Sequence, residues 1–594
     1  EALPWMSAAG WQVGSVRIPV PCPRRKCKEV DAPHYEVKNI HYRNIVEVIK
    51  DAFRDEQALE YHTHAHELLW ERYTDERPMR CWGEAYTSER ALEMEYDLEQ
   101  IEHEPGCSLE RIIAWIMLFS DSTHLADFGN ASMWPIYLSL GDLSKYMRAR
   151  PTAFAQHHIA YIPSIPDEFN DWYIATFNEK PSDAVKTHMK RELVQGVWEL
   201  LLSKDLVHAY EHGIITNCVD EIVRRTYPRF FVYSSDYLEK ILLVCIKSLG
   251  TCLCPRCLIE KNQVKELGMV RAMKRRAKTQ RNDSERKQEH VENARKAIFE
   301  HGYAVNSEKV DRILRDVSST PTRNVFSTKP LEHGFDHYHM HPVDMLHDFA
   351  VGEWKAIFAH LVRMLLSIKG ENLVEELNRR YRHVPTFLPD TFRRLANNVA
   401  EMKKLAGRDF EDILQCALPC FEALFPNKDH QKIVLDLLFD LGYWHGLAKL
   451  RLHTDSTIAS LEHATIELGR SMRLFERISV EYTTTELPKE KRARLQRQQK
   501  KANKKAGPVK RATPHINALA KTEPGRERRF ERKSYKCHAL GDYTAAIKYW
   551  GTTDSYSTQI GEMEHRRVKR YYSRTNKVAH TTQITRMERR EARL

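Results

Sequence analysis

PRFFVYSSDYLEKILLVCIKSLGTCLCPRC, residues 228–257, opens as an apolar β-type run that stops at Asp236 and closes in a C-x-C-x-x-C cluster. A carboxylate at the end of a buried strand can hold a metal ion in a fixed place, and thiols at C-x-x-C spacing can hold zinc. The stretch therefore offers two metal chemistries side by side.

Upstream of it, RIIAWIMLFSD, MWPIYLSLGDL and FAQHHIAYIPS read as three short strands rich in Ile, Tyr, Phe and Trp, which predicts an antiparallel meander. From Pro181 to Val207 the residues Val185, Met189, Leu193, Val194, Val197, Leu200 and Leu201 recur at helical spacing, before residues 228–236 return to strand character. The order is β-β-β-α-β, with acids closing the first and fourth strands at Asp121 and Asp236. An RNase H-like nuclease core needs that arrangement, and the fold class expected is α/β plus α, the core being interrupted by a large, mostly helical insertion.

The remaining chain divides by composition. Residues 1–105 read as a helical N-terminal lead-in, because apolar residues from Tyr42 to Arg72 recur at three- and four-residue spacing. The chain opens on Glu1 with no signal-like segment, and more sequence is expected upstream. Residues 106–259 hold the first part of the core. Residues 260–330, with MVRAMKRRAKTQR and almost no aromatics, read as a basic connector, either a solvated helix or flexible. Residues 331–487 form the helical insertion with a His-rich start. Residues 488–530 begin PKEKRARLQRQQKKANKKAGPVKR and lack the apolar side chains for a core, so a disordered linker or a charged helix is expected. Residues 531–594 supply a last helical part that completes the core.

At 594 residues the chain has room for about four domains of ~150 residues. Lys and Arg total 92 against 81 for Asp and Glu, a net charge of +11 that favours an anionic partner such as nucleic acid. Twelve cysteines are too few for a disulfide scaffold and suit a reducing compartment. Every apolar run falls short of the ~20 residues that cross a bilayer, so a soluble protein is expected.

Phosphodiester cleavage is commonly driven by two divalent ions about 3.5–4 Å apart, and clustered carboxylates are natural Mg²⁺ ligands. Asp121 and Asp236 fit, although each could equally be a turn former. A third carboxylate is offered by GEMEHRRVKRYY, where Glu562 and Glu564 stand about 200° apart on a helix, so only one can face a common site. Pairing of these acids with helix Arg or Lys is the plainer alternative.

Eight ordered blocks carry a resemblance: EPGCSLERIIAWIMLFSDSTHLADFG, WPIYLSLGDLSKYMRARP, HHIAYIPSIPDEF, PRFFVYSSDYLEKILL, CLCPRCL, HPVDMLHDF, NNVAEMKKLAGRDFEDILQ and GTTDSYSTQIGEMEHRRVKRYYSRTNK. Nearly end to end, the chain resembles Plavaka-type transposases of basidiomycete fungi, relatives of the CACTA superfamily. The resemblance implies an RNase H-like core with an Asp, Asp, Glu triad of DDE type. It also implies cut-and-paste movement of DNA in the nucleus, two Mg²⁺ ions, element ends and target DNA as partners, and a homo-oligomer as the active form. Water and then the freed 3′-hydroxyl would be the nucleophiles. On the resemblance the catalytic acids are Asp121, Asp236 and Glu564, with Glu562 as runner-up and the acids of VDMLHDF, Asp344 and Asp348, as a third choice.

Where such transposases commonly read close to EFELGVWK, this chain reads DFAVGEWK, with Asp348 conservative, Ala350 replacing an acid and Glu353 new. That departure keeps open an inactive or domesticated DNA-binding or scaffold protein. A zinc-organised helical interaction protein without a nucleic-acid role is a further alternative. In distant relatives a C-x-x-C near this place pairs with downstream histidines around a structural zinc. The ligand set implied is Cys252, Cys254 and Cys257 with His341 and His347, from the five histidines between His333 and His347; free reduced thiols are the alternative. DNA phosphates would be met by Arg271, Lys274, Arg275 and Arg276 and by Lys500, Lys501, Lys504 and Lys505. Both stretches could instead be solvated linkers, and the second a nuclear import signal.

Overall fold

The computed structural model of the chain describes residues 10–591 apart from 74–76, 127–128, 130, 330–334, 370–371, 404 and 507–522. Its centre is a mixed sheet of β1 (Trp11–Pro19), β2 (His34–Arg43), β3 (Arg111–Ser120), β4 (Ser132–Leu140), β5 (His157–Ile162), β6 (Ile214–Asn217) and β7 (Val223–Ser234). Their order is β1-β2-β5-β4-β3-β7-β6, and Thr123–His124 adds a short strand to β4. The meander β3-β4-β5 is antiparallel, whereas β7 lies parallel to β3 and so needs a crossover. Helix α1 (Asp183–Leu201) lies within that crossover.

β3 is central and buried on both faces, which is why its sequence is a continuous apolar run and not an alternation. Side chains still divide by parity. Ile112, Ala114, Ile116 and Leu118 pack with Val197 and Trp198 of α1, while Ile113, Trp115 and Met117 pack with Trp354, Phe358 and Trp444 of the helical body. That body includes α3 (Lys428–Ala448) and α4 (Asp455–Ser479). Phe119, on the second face, meets Val568 and Tyr571 of α5 (Thr558–Ser573).

Two expectations change. The N-terminal region is not chiefly a helical lead-in: β1 and β2 extend the sheet, with Val16, Ile18, Tyr35 and Val37 in the core, and Ile45–Arg54 is one of its few helices. The basic connector is folded as helices Val270–Lys278, Glu285–Phe299 and Glu308–Leu314 around Val291, Ala294, Ile298, Val310 and Leu314. Arg295 secures it by ion pairs to Glu29 and Glu192. Of residues 488–530, expected as a disordered linker or a charged helix, Pro488–Ala506 is the charged helix, anchored where Glu490 caps the Leu487 N–H (2.8 Å) and meets Arg363 (2.6 Å). Residues 507–522 lie outside the described part. Among the described residues no helix is long and apolar enough to cross a membrane.

Candidate active site and metal centre

Because β7 runs parallel to β3, with Ser234 beside Phe119, the carboxyl ends of both strands open at one edge of the sheet. Asp121 and Asp236 leave the sheet there. Asp236 is also the N-cap of helix α2 (Tyr237–Leu243): one carboxylate oxygen accepts the Glu239 N–H at 2.8 Å, and the other has no hydrogen bond among the described residues. The Glu239 side chain turns inward, accepting from Trp134 Nε1 (2.8 Å) and from Ser120 Oγ, the residue before Asp121. Burial, with a smaller contribution from Asp121 and Asp236, pushes Glu239 up to about 8. This buried carboxyl links the two acid-bearing strand ends.

Helix α5 brings a third carboxylate, and the structure separates the two candidates on it. Glu564 is 3% exposed and points into the protein, where it meets His158 Nε2 (2.7 Å) and Arg567 (3.0 Å). Glu562 is 38% exposed and lies 3.5 Å from His347 Nε2. Burial pushes Glu562 up to about 7, with His347 opposing the rise and Asp344, Asp121 and Asp236 adding to it. It thus shares an electrostatic site with both strand-end acids.

The position of α5 is fixed at its first turn. Gly561 lies so close to β3 that a Cβ there would stand 2.1 Å from the Phe119 ring. Asp344, fully buried, accepts from the Thr558 N–H (3.2 Å) and hydroxyl, and from His347 through its backbone N–H (2.9 Å) and Nδ1 (2.7 Å). Although burial opposes it, the His347 hydrogen bond and charge hold Asp344 down at about 2. Burial likewise opposes a charge on His347, but Asp344, followed by Glu562 and Asp236, pushes it up to about 9. His347 is a cation facing the acids. Asp344 and His347 sit at the start of a π-helical stretch, Met345–Trp354, a rare form frequently found at functional sites.

On the other side of Asp121, His565 Nε2 stands 3.8 Å from its carboxylate while Nδ1 meets the Tyr137 hydroxyl at 3.0 Å. Glu239, Asp344 and His565 were not singled out as a layer behind the acids by sequence pattern; the D-x-x-H spacing of Asp344 and His347 was the one visible sign.

The thiol cluster has a different partner from the histidines expected. Among the described residues, Cys254, Cys257 and His538 form a group whose ligand atoms all lie within 4.8 Å of one another, with Cys257 Sγ 3.3 Å from His538 Nε2. Cys252 faces the carbonyls of Leu258 and Asp316 instead. His341 is buried against the Tyr233 ring, 5.9 Å between centroids, and burial, then Lys240, pushes it down to about 3. His347 is taken by Asp344, and His333 lies outside the described residues. Despite burial, the Cys257 thiol, Arg256 and His538 hold Cys254 well below the ordinary thiol range. A thiolate, a neighbouring thiol and an imidazole fit three of the four ligands of a structural zinc site. Asp542, ion-paired to Arg256 and Arg276, fastens the same loop to the helices around it.

Of the basic residues expected at DNA, Arg271 and Arg275 pair with Glu266, and Arg276 pairs with Asp542. Lys274 and Lys500 are exposed. Lys501, Lys504 and Lys505 fall on the Pro488–Ala506 helix, their side chains outside the described part.

A family model described as Plavaka transposase matches residues 5–363. The chain belongs to the Plavaka transposase family. No curated protein matches it. Membership makes the chain one of a family of nucleic-acid-processing enzymes. The matched part of this Plavaka transposase carries Asp121, Asp236, the C-x-x-C and the Asp344–His347 pair; Glu562, Glu564 and His538 lie beyond it.

Proposed function

We propose that this Plavaka transposase cuts and joins DNA strands at the edge of its sheet where Asp121, Asp236 and Glu562 converge. The observation that carries the reading is electrostatic: Asp121 and Asp236, on neighbouring strand ends, both act on the partly exposed Glu562 of α5, which stands 3.5 Å from His347. Glu562 replaces Glu564 as third acid in this reading, because Glu564 is occupied by His158 and Arg567 behind the helix. An RNase H-like core of DDE type is supported by an antiparallel meander whose first strand is followed in parallel by the strand that carries the second acid.

The donor set suits Mg²⁺. The oxygens are hard, and Asp344, Asp121 and Asp236 add negative field at Glu562 while His347 opposes them. Bound there, divalent magnesium would supply Lewis-acid polarisation of the scissile phosphate and neutralise charge on the attacking and leaving oxygens. The chain's own work is positional. Glu239 and Ser120 hold Asp236 and Asp121 in fixed relation, and Asp344 with Thr558 holds the start of α5 so that Glu562 faces them. Zinc at Cys254, Cys257 and His538 would be structural, fastening the loop after the second acid to the segment that leads into α5.

A strand-cleavage assay on DNA carrying the element ends tests this reading. Wild type is expected to cleave in Mg²⁺, and Asp236→Ala is expected to lose activity by ~10³-fold or more. Cleavage by Asp236→Ala at wild-type rate would overturn the site.

A further inference from the structure

A cleft of about 960 Å³ opens in the helical body between the helices Lys355–Ser367 and Pro488–Ala506. Lys355, Ala359, Val362 and Leu366 follow one another at the spacing of a single helical stripe, and the second helix turns Lys489, Arg492, Ala493 and Arg497 to the same space. The floor is apolar. Val362 and Leu366 are joined there by Val374 and Met402, and Leu366 is 54% exposed. A concave apolar surface left open to water, rimmed by polar groups, marks a place where another molecule docks.

The charges on the rim say what kind of molecule. Of the acids lining the cleft, Glu490 is paired with Arg363 and Glu401 with Lys403, which leaves Glu375. Of the cations, Lys403 is thus taken, and Arg528 is paired with Glu486. Lys355, Lys489, Arg492 and Arg497 form no ion pair among the described residues: Lys355 lies over the Phe410 ring, and the other three donate to backbone carbonyls. The excess of positive charge is felt at Lys355, which burial, then Lys489 and Lys536, pushes below the ordinary amine range. An apolar floor under a cationic rim complements a helix that is apolar on one face and acidic on its flanks. The stripe from Lys355 to Leu366 runs roughly 16 Å at 1.5 Å per residue, the length of about three helical turns. Duplex DNA would answer the rim, but its charged backbone has no apolar face to cover Leu366 and Met402. We propose that this cleft binds an acidic amphipathic helix of a partner protein, its apolar stripe on Val362, Leu366 and Met402 and its carboxylates on Lys355, Lys489, Arg492 and Arg497. Binding there uses none of the acids assigned to strand cleavage.

The test uses the full chain and a fluorescein-labelled synthetic peptide of about twelve residues, ~18 Å long as a helix, with leucine on one face and glutamate on the other. A peptide of the same composition, shuffled so that no face is apolar, is the control. By fluorescence anisotropy, wild type is expected to bind the amphipathic peptide at least ~10-fold more tightly than the shuffled one. Leu366→Glu puts a carboxylate on the floor, and Arg492→Glu with Arg497→Glu reverses the rim; each is expected to weaken binding by ~10-fold or more. Arg492→Lys with Arg497→Lys is expected to stay within about twofold of wild type. All three positions are exposed, so the melting temperature should stay at the wild-type value and exclude misfolding as the cause. Equal binding of the two peptides, no binding of either, or wild-type affinity in Leu366→Glu overturns the proposal. A mixed-sequence DNA duplex forms a second arm. A loss of duplex binding in Leu366→Glu as large as its loss of peptide binding would assign the cleft to nucleic acid and overturn the proposal as well.

Discussion

Glu562 and Glu564 are two residues apart on one helix and face different surroundings. The 200° between them places Glu562 beside His347 in the field of Asp121 and Asp236, and buries Glu564 against His158 and Arg567. Between α5 and the rest of the site stands the Asp344–His347 pair, whose charges are mutual. His347, raised from its ordinary value near 6.5 to about 9, contributes stability that is complete below pH 6.5 and is lost as pH rises through 9. Asp344, lowered from 3.8 to about 2, contributes stability present above its ordinary value and lost as pH falls through 2. Without divalent metal, the melting-temperature advantage of wild type over His347→Gln should therefore be large near about pH 6 and shrink by about pH 9.5. An advantage equal at the two pH values would contradict the charged pair.

At the scale of elements, the site depends on how closely α5 approaches β3. Gly561 makes that approach possible, since a Cβ would meet the Phe119 ring at 2.1 Å. Gly561→Ala should cost about 1–3 kcal/mol in denaturant unfolding, as overpacking does, and lower strand cleavage ~10²-fold by displacing Glu562. A variant that cleaves normally would show that the helix has room to move. The loop after α2 makes a second prediction. Metal analysis should find about one zinc per chain in wild type and in Cys252→Ser or His341→Gln, and none in Cys257→Ser or His538→Ala. Equal zinc in wild type and His538→Ala would remove that histidine from the site.

Taken as a whole molecule, the core was legible where burial was complete and hidden where it was partial. β3 announces itself as an unbroken apolar run because both its faces are covered, and α1 by its helical period. β1, at the edge of the sheet, and β2 beside it bury only some of their residues, so their alternation was too thin to outweigh the helical spacing that follows. The two strand-end acids could be read from the run that precedes each. Which of Glu562 and Glu564 faces them could not, since that is decided by Phe119, His158 and Asp344, all contributed from elsewhere in the chain. His538 was hidden for the same reason: it is one histidine in a helical C-terminal unit, brought to the thiols only by folding across the insertion. The central claim, that carboxylates gathered from three distant segments form one divalent-metal site, makes thiolate substitution with metal rescue the most direct measurement, because a soft ligand disfavours Mg²⁺ and tolerates Mn²⁺. Strand cleavage by Asp236→Cys and Glu562→Cys should be lost in Mg²⁺ and partly restored in Mn²⁺, while Glu564→Cys should show no such metal dependence. Metal rescue of Glu564→Cys, or equal activity of Glu562→Cys in the two metals, would contradict the account.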